Sequence, residues 1–277
     1  MRVRLFALVS ALALFVLAAV PASASTSKPK FDPPKSFYLA LGDSLAFGFQ
    51  LNKFIANPDP SAFTTGYVDD FASMLQGIDP AIETVNLGCP DETTLSFKAG
   101  PCPYRAAGYG LHHDYAGAQM DAAISFLKAH PGEVSPITID LGANDVNACR
   151  LDQTCIAHAI ATVGENMGAI LTALRAAAPS AEIIVMEFYN PYAFAVPGSN
   201  TSAELLNSVL ASDAALARGR VADAFTPFNL ASLEPGTLCA LTFVCTPPLN
   251  DIHASDPGYL VIAEQFWAAS GYGRLDG

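Results

Sequence analysis

The segment YLALGDSLAFGFQ, residues 38–50, decides how this sequence is to be interpreted. A mostly apolar run leads directly into Gly42-Asp43-Ser44-Leu45, after which apolar residues resume. The run is typical of a buried β-strand, and Gly, Asp and Ser are common where strands turn and helices begin. A serine at this point either caps a helix or is displayed at the edge of a sheet as a nucleophile.

Strands and helices are predicted to alternate along most of the chain. The strands are nearly continuous apolar runs, as expected where helices cover both faces of a sheet. This pattern predicts an α/β fold in which a five-stranded parallel sheet lies between two layers of helices. The predicted strands cover residues 36–44, 82–89, 135–145, 181–191 and 221–225, and the predicted helices cover 66–77, 116–132, 155–179, 202–219 and 256–270.

Polar blocks stand beside the ends of these elements. Sites in parallel sheets lie beyond the carboxyl ends of the strands, so blocks after different strands meet at one edge. Their order along the chain favours the nucleophile interpretation of Ser44. The blocks are Gly42-Asp43-Ser44-Leu45, Asn86–Thr94, Gly142–Asp145 and, before the last helix, Asn250–Tyr259.

The four blocks resemble the motifs of the GDSL, or SGNH, hydrolase family over about residues 37–269. The resemblance implies the flavodoxin-like fold of that family and makes Ser44 the nucleophile. It also implies that the Asn144 side chain donates to the oxyanion and that His253 is the general base. Gly258 and Tyr259 follow His253 at the distances usual in the family.

Asp91 is a departure from the family pattern. The second block usually has a Gly five residues after its Asn, and the backbone N–H of that Gly donates to the oxyanion. Asp91 keeps a backbone N–H and can serve as the oxyanion donor. A backbone with positive φ would be costly for Asp, however, and its carboxylate could oppose the developing oxyanion.

The acid of the triad is a second departure. It usually stands three residues before the His, where this chain has Asn250, whereas the nearest acid is Asp251, two residues before. The family register around His253 is intact. We therefore favour a neutral acceptor for the Nδ1 proton, either Asn250 or a backbone carbonyl, over Asp251.

The chemistry of these residues is acyl transfer. A serine hydroxyl needs a base to accept its proton, a third group fixes the tautomer of the base, and the oxyanion needs fixed donors. This chemistry requires no cofactor or metal. The cluster His112-His113-Asp114 suggests a metal site, but adjacent histidines point apart, which favours a loop.

All six cysteines lie after residue 24, an even number that suggests disulfides in an exported chain. A metal site on these cysteines is the alternative, but the sequence has no Cys-x-x-Cys spacing with a partner His to support it. The spacing favours three local pairs: Cys89–Cys102, Cys149–Cys155 and Cys239–Cys245. These three predicted disulfides also resemble those of secreted actinobacterial lipases and esterases of the family.

The amino terminus is typical of an export signal. Residues 1–24 have two arginines, a long apolar run and the Ala22-Ser23-Ala24 box, which predicts cleavage after Ala24 and a secreted protein; an uncleaved membrane anchor is the alternative. The absence of a Cys just after the box disfavours a lipoprotein. Residues 25–36 then form a Pro-rich flexible leader, and residues 37–277 form the SGNH hydrolase domain.

The charge balance bears on partners. The chain carries 26 acidic against 14 basic side chains, and removal of residues 1–24 makes the balance more negative. This excess argues against nucleic acid or an anionic membrane surface as a partner. We expect a small-molecule or lipid ester as substrate, no stable membrane span after signal cleavage, and a monomer.

The choice of ester depends on two aromatic segments, 47–63 and 188–198. They favour fatty-acyl esters, hence a lipase or esterase, although ordinary loop packing explains them equally well. A carbohydrate esterase that removes acetyl groups from extracellular polysaccharide is the alternative enzyme. A non-catalytic binding protein that retains the fold is a third hypothesis, motivated by Asp91 and Asn250.

Overall fold

The computed structural model describes residues 33–150, 152–229 and 236–275 of the chain. The predicted signal peptide, residues 1–24, and residues 25–32 of the predicted leader lie outside the described residues. The described residues belong to one compact unit. None of their helices is both long enough and apolar enough to cross a membrane.

A parallel sheet of five strands organises the described residues, in the order β2-β1-β3-β4-β5. The chain first moves outward from β1 to β2 and then returns past β1 to β3, so the strand order reverses between β1 and β3. Ligand sites in such sheets lie at this reversal. The strands are β1 Phe37–Gly42, β2 Glu83–Asn86, β3 Val134–Asp140, β4 Ile183–Glu187 and β5 Arg220–Asp223.

Strands β1 and β3 are buried because they are central and covered on both faces. All seven residues of β3 are buried, as are the last five of β1. The register pairs Leu41 with Ile139 and Gly42 with Asp140, so the two strands end side by side. The residues that follow β1 and β3 therefore emerge at the same place.

Helices cover the two faces of the sheet. Helices α3 and α12 pack together, and α8 packs against both α6 and α9. The helices of the described residues are α1 Ser44–Phe47, α2 Leu51–Ala56, α3 Tyr67–Ile78, α4 Thr94–Ala99, α5 Pro103–Ala106, α6 Gln119–Ala129, α7 Ala143–Asn147, α8 Gln153–Ala177, α9 Ser199–Leu216, α10 Phe225–Phe228, α11 Gly236–Leu241 and α12 Asp256–Ser270, with 3₁₀ turns at Pro60–Ala62 and Tyr272–Arg274.

The predicted α/β fold with five parallel strands is confirmed. The structure differs in the short elements, because helices of four to six residues such as α1, α5 and α7 leave no periodic signal in the sequence. The strand predicted over residues 135–145 ends at Asp140 instead. Gly142, at φ +120°, then turns the chain into α7.

Candidate active site

The nucleophile candidate Ser44 is the first residue of α1, directly beyond the end of β1. Asp43 caps this helix, since its Oδ1 accepts a hydrogen bond from Leu45 N at 2.9 Å. Gly42 has φ +137°, and a Cβ there would collide with the backbone and side chain of Asp140. Glycine is therefore required for β1 to deliver Ser44 close to the end of β3.

Ser44, His253 and Asp251 form a connected chain of side chains. Ser44 Oγ lies 3.0 Å from His253 Nε2, and His253 Nδ1 lies 2.5 Å from Asp251 Oδ1. With the ring proton on Nδ1, facing the carboxylate, Nε2 is left to accept from the serine hydroxyl. Burial alone would raise the pKa of Asp251, but hydrogen bonds from His253 and from Leu51 N hold it below its ordinary value.

The preference for a neutral acceptor on His253 is therefore wrong in this structure. Asn250 adopts φ +46° and turns its side chain away, so that its Nδ2 donates to Val244 O at 2.9 Å. Asp251 Oδ1 also accepts from the backbone N–H of His253 at 3.2 Å. An Asp bonded to the backbone two residues on forms an Asx turn, and this turn brings its carboxylate to the ring.

Asp91, in the second block, has φ +65° and an exposed side chain, and it lines the same surface pockets as Ser44. The positive φ anticipated for the position normally held by Gly is thus present, despite its cost for Asp. Gly88 permits the close approach, because a Cβ there would collide with the backbone of Ala46 and Phe47. Among the described residues, no backbone carbonyl accepts a hydrogen bond from the Asp91 N–H.

Asn144 lies in the first turn of α7, at the end of β3. Its Nδ2 donates to Glu92 O at 3.0 Å and faces Asp43 Oδ2 at 3.4 Å. The neighbouring Asp145 binds the N–H of Thr94 at 2.9 Å, which ties α7 to α4. The geometry therefore brings the Asn144 amide, Asp91 and Ser44 to one edge of the sheet.

Comparison with protein families decides which family this is. The model of the GDSL-like Lipase/Acylhydrolase family matches residues 40–261, which is most of the chain. The chain belongs to this family. The resemblance found in the four sequence blocks is thereby confirmed, and the family is one of ester hydrolases.

Solved structures agree with this GDSL-like assignment at the level of the fold. A protein named a GDSL-like lipase from Parabacteroides merdae is similar with a TM-score of 0.60 at 16% identity, over 88% of this chain and 100% of that one. An acetylxylan esterase from Geobacillus stearothermophilus is similar with a TM-score of 0.57 at 17% identity, over 85% of this chain and 94% of that one. No curated protein sequence matches the chain.

Two pockets of this GDSL-like hydrolase meet at Ser44. The larger, about 340 Å³, is walled by the loop after β4 and by the start of α9. The smaller, about 210 Å³, is lined by Phe49, Phe54, Tyr104 and Tyr109. Ser44, Asp91 and His253 border both pockets.

The two aromatic segments contribute to these pockets only in part. Phe49 and Phe54 line the smaller pocket, whereas Phe47 and Phe63 are fully buried in the core. The segment 188–198 lines the larger pocket through residues that include Tyr189.

A buried pair of carboxyl groups lies beneath the nucleophile. Asp140 accepts from Tyr67 Oη at 2.6 Å and from Ala46 N at 3.2 Å, and it lies against Asp43. Burial, together with the neighbouring Asp43, raises the pKa of Asp140 well above its usual range. Sequence reasoning missed Asp140, although a single acid at the end of an apolar strand is a signal that could have found it.

Each disulfide of the GDSL-like hydrolase braces the chain near one part of the site. Cys89–Cys102 holds the loop of Asp91, and Cys149–Cys155 joins the segment after α7 to α8. Cys239–Cys245 holds the segment against which the His253 loop pairs, since Phe243 N donates to His253 O at 3.1 Å. The three disulfides are consistent with an extracellular protein.

The histidines of the His112-His113-Asp114 segment do not converge on one point. His112 Nε2 lies 3.0 Å from Phe47 O, His113 Nδ1 accepts from Asn86 N, and Asp114 pairs with Arg105. In the described part of the chain, one group of candidate metal ligands stands close together, Cys89, Glu92 and Cys102, and both of its cysteines are in a disulfide.

Proposed function

We propose that this chain is a secreted serine hydrolase that cleaves carboxylic esters through an acyl-enzyme on Ser44. The observation that carries the proposal is the connected chain from Ser44 Oγ to His253, at 3.0 Å, and on to Asp251, at 2.5 Å. A serine hydroxyl becomes an effective nucleophile when a positioned base accepts its proton. Asp251 fixes the tautomer of that base.

Acylation uses these groups in order. Ser44 Oγ attacks the ester carbonyl carbon while its proton passes to His253 Nε2, and the carbonyl electron pair moves onto the carbonyl oxygen. The tetrahedral intermediate then collapses and the bond to the alcohol oxygen breaks. The alcohol takes the proton from His253 and leaves, and the acyl group stays on Ser44.

Deacylation repeats the sequence with water. His253 takes a proton from water, the resulting nucleophile attacks the acyl carbon, and a second tetrahedral oxyanion forms. Its collapse breaks the bond to Ser44 Oγ, which regains the proton from His253. The ionised Asp251 stabilises the charged ring that exists between these transfers.

Three donors are proposed to hold the oxyanion: the Ser44 N–H, the Asp91 N–H and the Asn144 amide. As the first residue of α1, Ser44 has an N–H without an intrahelical acceptor. The Asn144 contact to Asp43 Oδ2, at 3.4 Å, is the weaker of its two and is the one exchanged for the oxyanion. Each donor of this kind is worth about 3 kcal/mol in the transition state.

The two pockets favour an ester in which both the acyl and the alcohol part extend well beyond the ester bond. An ester extends on both sides of its carbonyl carbon, and the two pockets flank Ser44. The aromatic pocket around Phe54 and Tyr109 suits the acyl chain. The larger pocket, which Asn147, Arg150 and Gln153 also line, suits a more polar alcohol. This arrangement favours a lipase or esterase that accepts acyl groups longer than acetyl.

Export is part of the proposal. The predicted signal peptide ends at Ala24, and a disulfide framework is usual in secreted chains. Mass spectrometry of the protein from the culture medium of an expressing bacterium tests this point. We expect the mature chain to begin at Ser25.

A panel of p-nitrophenyl esters with acyl chains from acetyl to dodecanoyl tests the function. We expect hydrolysis that is fastest beyond acetyl and a loss of about 10⁶-fold in kcat for Ser44→Ala. Ser73→Ala, which changes an exposed serine on α3, is the matched control and should keep full activity. Activity confined to acetyl would favour the carbohydrate esterase, and no activity on any ester would favour a binding protein.

A further inference from the structure

Glu92 is a buried acid that the proposed mechanism does not use. It follows Asp91 directly and is 0% exposed. Its Oε2 accepts from Gln119 Nε2 at 3.0 Å, while its Oε1 has no partner within hydrogen-bond distance among the described residues. The Ser96 side chain is the nearby donor that lowers the pKa of Glu92 against the effect of burial. Leaving a buried carboxyl oxygen without a partner costs stability, so its place here calls for an explanation.

The side chain of Glu92 reaches the nucleophile loop through Gln119. Gln119 Oε1 accepts from Gly42 N at 2.7 Å, and Gln119 Nε2 donates to Gly42 O at 2.9 Å. These two bonds clamp the last residue of β1, two positions before Ser44. Gln119 is itself 0% exposed, so the clamp is shielded from bulk solvent.

The backbone of Glu92 contacts Asn144, the side-chain donor of the proposed oxyanion hole. Its carbonyl oxygen accepts from Asn144 Nδ2 at 3.0 Å, and Asn144 is the proposed side-chain donor. One residue thus contacts Asn144, adjoins Asp91 and, through Gln119, fixes the loop of Ser44. The three proposed oxyanion donors come from the three segments that Glu92 joins.

We propose that Glu92 is a positioning residue that holds the three segments of the oxyanion hole in register. The inference rests on the proposed ester hydrolysis, because it assigns Glu92 a part in stabilising that oxyanion. Donors displaced by about 1 Å lose much of their effect, which gives such a residue leverage on kcat rather than on KM.

The protonation state of Glu92 is expected to affect kcat. The titratable groups that face it are Asp43 from the nucleophile loop, Asp145 from α7 and Tyr115. Burial, assisted by the two aspartates, raises the pKa of Glu92 to about 7. Glu92 is therefore a neutral acid below this pH and a carboxylate above it. A carboxylate behind the oxyanion hole opposes the developing negative charge, so kcat falls as Glu92 ionises.

The test compares Glu92→Gln and Glu92→Ala by steady-state kinetics on a p-nitrophenyl ester from pH 6 to 9. Glu92→Ala should lower kcat by about 10²-fold at pH 6 with little change in KM. The loss should be smaller at pH 8, where the Glu92 carboxylate slows the wild type. Glu92→Gln keeps an acceptor for Gln119 without a charge, so it should restore most of that loss. It should also raise the ratio of kcat at pH 8 to kcat at pH 6 above the wild-type ratio.

Two further variants complete the test. Gln119→Ala breaks the clamp on Gly42 and removes the donor to Glu92 while residue 92 stays a Glu. It should also lower kcat with little change in KM, which keeps the test valid if Glu92→Ala fails to fold. Glu165→Gln, an exposed residue on α8, is the matched control and should behave as wild type.

The outcomes separate this inference from the proposed function. The wild-type rate alone tests ester hydrolysis, whereas the ratio of variant to wild type tests Glu92. Wild-type kcat in a folded Glu92→Ala would overturn the positioning role. So would an effect on KM alone, or a Glu92→Gln variant as slow as Glu92→Ala with an unchanged pH ratio.

Discussion

The nucleophile and the base are held in the site by different means. Ser44 follows the central strand β1, and its loop is fixed by buried groups on both sides, Gln119 and Asp140. His253 lies in a loop between a disulfide-bonded segment and α12, oriented by Asp251 and paired through Phe243. The backbone of the sheet positions Ser44, whereas side chains and local turns position His253.

This difference decides what a substitution does. On the nucleophile side, many buried contacts share the work, and each change should act through stability as well as rate. On the base side, one carboxylate, that of Asp251, lies against Nδ1 of His253. Its loss should act mainly on catalysis.

Among substitutions that leave Ser44 in place, the largest effect is expected for Asp251→Asn. Loss of the charged acceptor leaves the imidazole in the wrong tautomer, which lowers kcat by about 10⁴-fold in a triad of this kind. Steady-state kinetics with circular dichroism to check the fold measure this. Asn250→Asp is the matched neighbour, and it should change kcat little because Asn250 points to Val244. A loss of less than about 10-fold in Asp251→Asn would restore the neutral acceptor.

Asn144→Ala should come next. Removing one side-chain oxyanion donor lowers kcat by about 10²–10³-fold, while KM changes little because the oxyanion exists only near the transition state. Asn52→Ala, which changes an exposed asparagine on α2 outside both pockets, is the control and should keep most of kcat. An effect that appears in KM alone would mean that Asn144 binds the substrate in its ground state.

The free energy of unfolding should depend on pH in opposite ways for Glu92, on the nucleophile side, and Asp251, on the base side. The folded pKa of Glu92, about 7, lies above the ordinary 4.5, so its contribution is complete below pH 4.5 and is lost as pH rises through 7. The lowered pKa of Asp251 has the opposite sign, so its contribution is lost as pH falls.

Urea unfolding at pH 5 and pH 8 measures this. Between these values the wild type should lose up to about 3 kcal/mol through Glu92, and Glu92→Gln should lose less. An identical pH dependence in the two proteins would show that Glu92 is ionised throughout.

Two disulfides of equal span test whether the base side depends on its local brace. Cys149–Cys155 and Cys239–Cys245 both have a sequence separation of 6, so serine replacement of either pair should cost about 2 kcal/mol in thermal or urea unfolding. Loss of the second pair should lower kcat more, because its segment carries the contact to His253. Equal effects of the two replacements on kcat would show that the Cys239–Cys245 disulfide is not needed to position the loop of His253.

The smallest effect is expected at Asp91. Asp91→Gly relieves a positive φ and removes a carboxylate near the oxyanion, whereas Asp91→Ala keeps the strain. The glycine variant should be more stable than the alanine variant by about 1 kcal/mol in urea unfolding and at least as active as wild type. A glycine variant of lower activity would give the Asp91 carboxylate a positive role.

The comparison also explains what the sequence could predict. Ser44 and Asn144 follow strands whose apolar runs are visible in the sequence, so their meeting at one edge follows from the parallel sheet. Residue spacing does not predict the role of Asp251, because an Asx turn and the positive φ of Asn250 decide where its carboxylate points. Such local turns depend on contacts that residue spacing does not encode.

Glu92 shows a second kind of limit. Its role depends on Gln119, which lies 27 positions away and meets it only after the sheet and α6 have packed. Asp140 likewise gains its partner Tyr67 across 73 positions. Buried polar contacts of this range have no periodic signal, whereas the apolar strands around them do.

The most direct test of the central claim is covalent labelling with a fluorophosphonate, followed by peptide mapping. We expect one adduct per chain on Ser44, formed slowly in Asp251→Asn and absent in Ser44→Ala. Labelling of a different residue, or full ester hydrolysis by a chain in which Ser44 stays unlabelled, would contradict it.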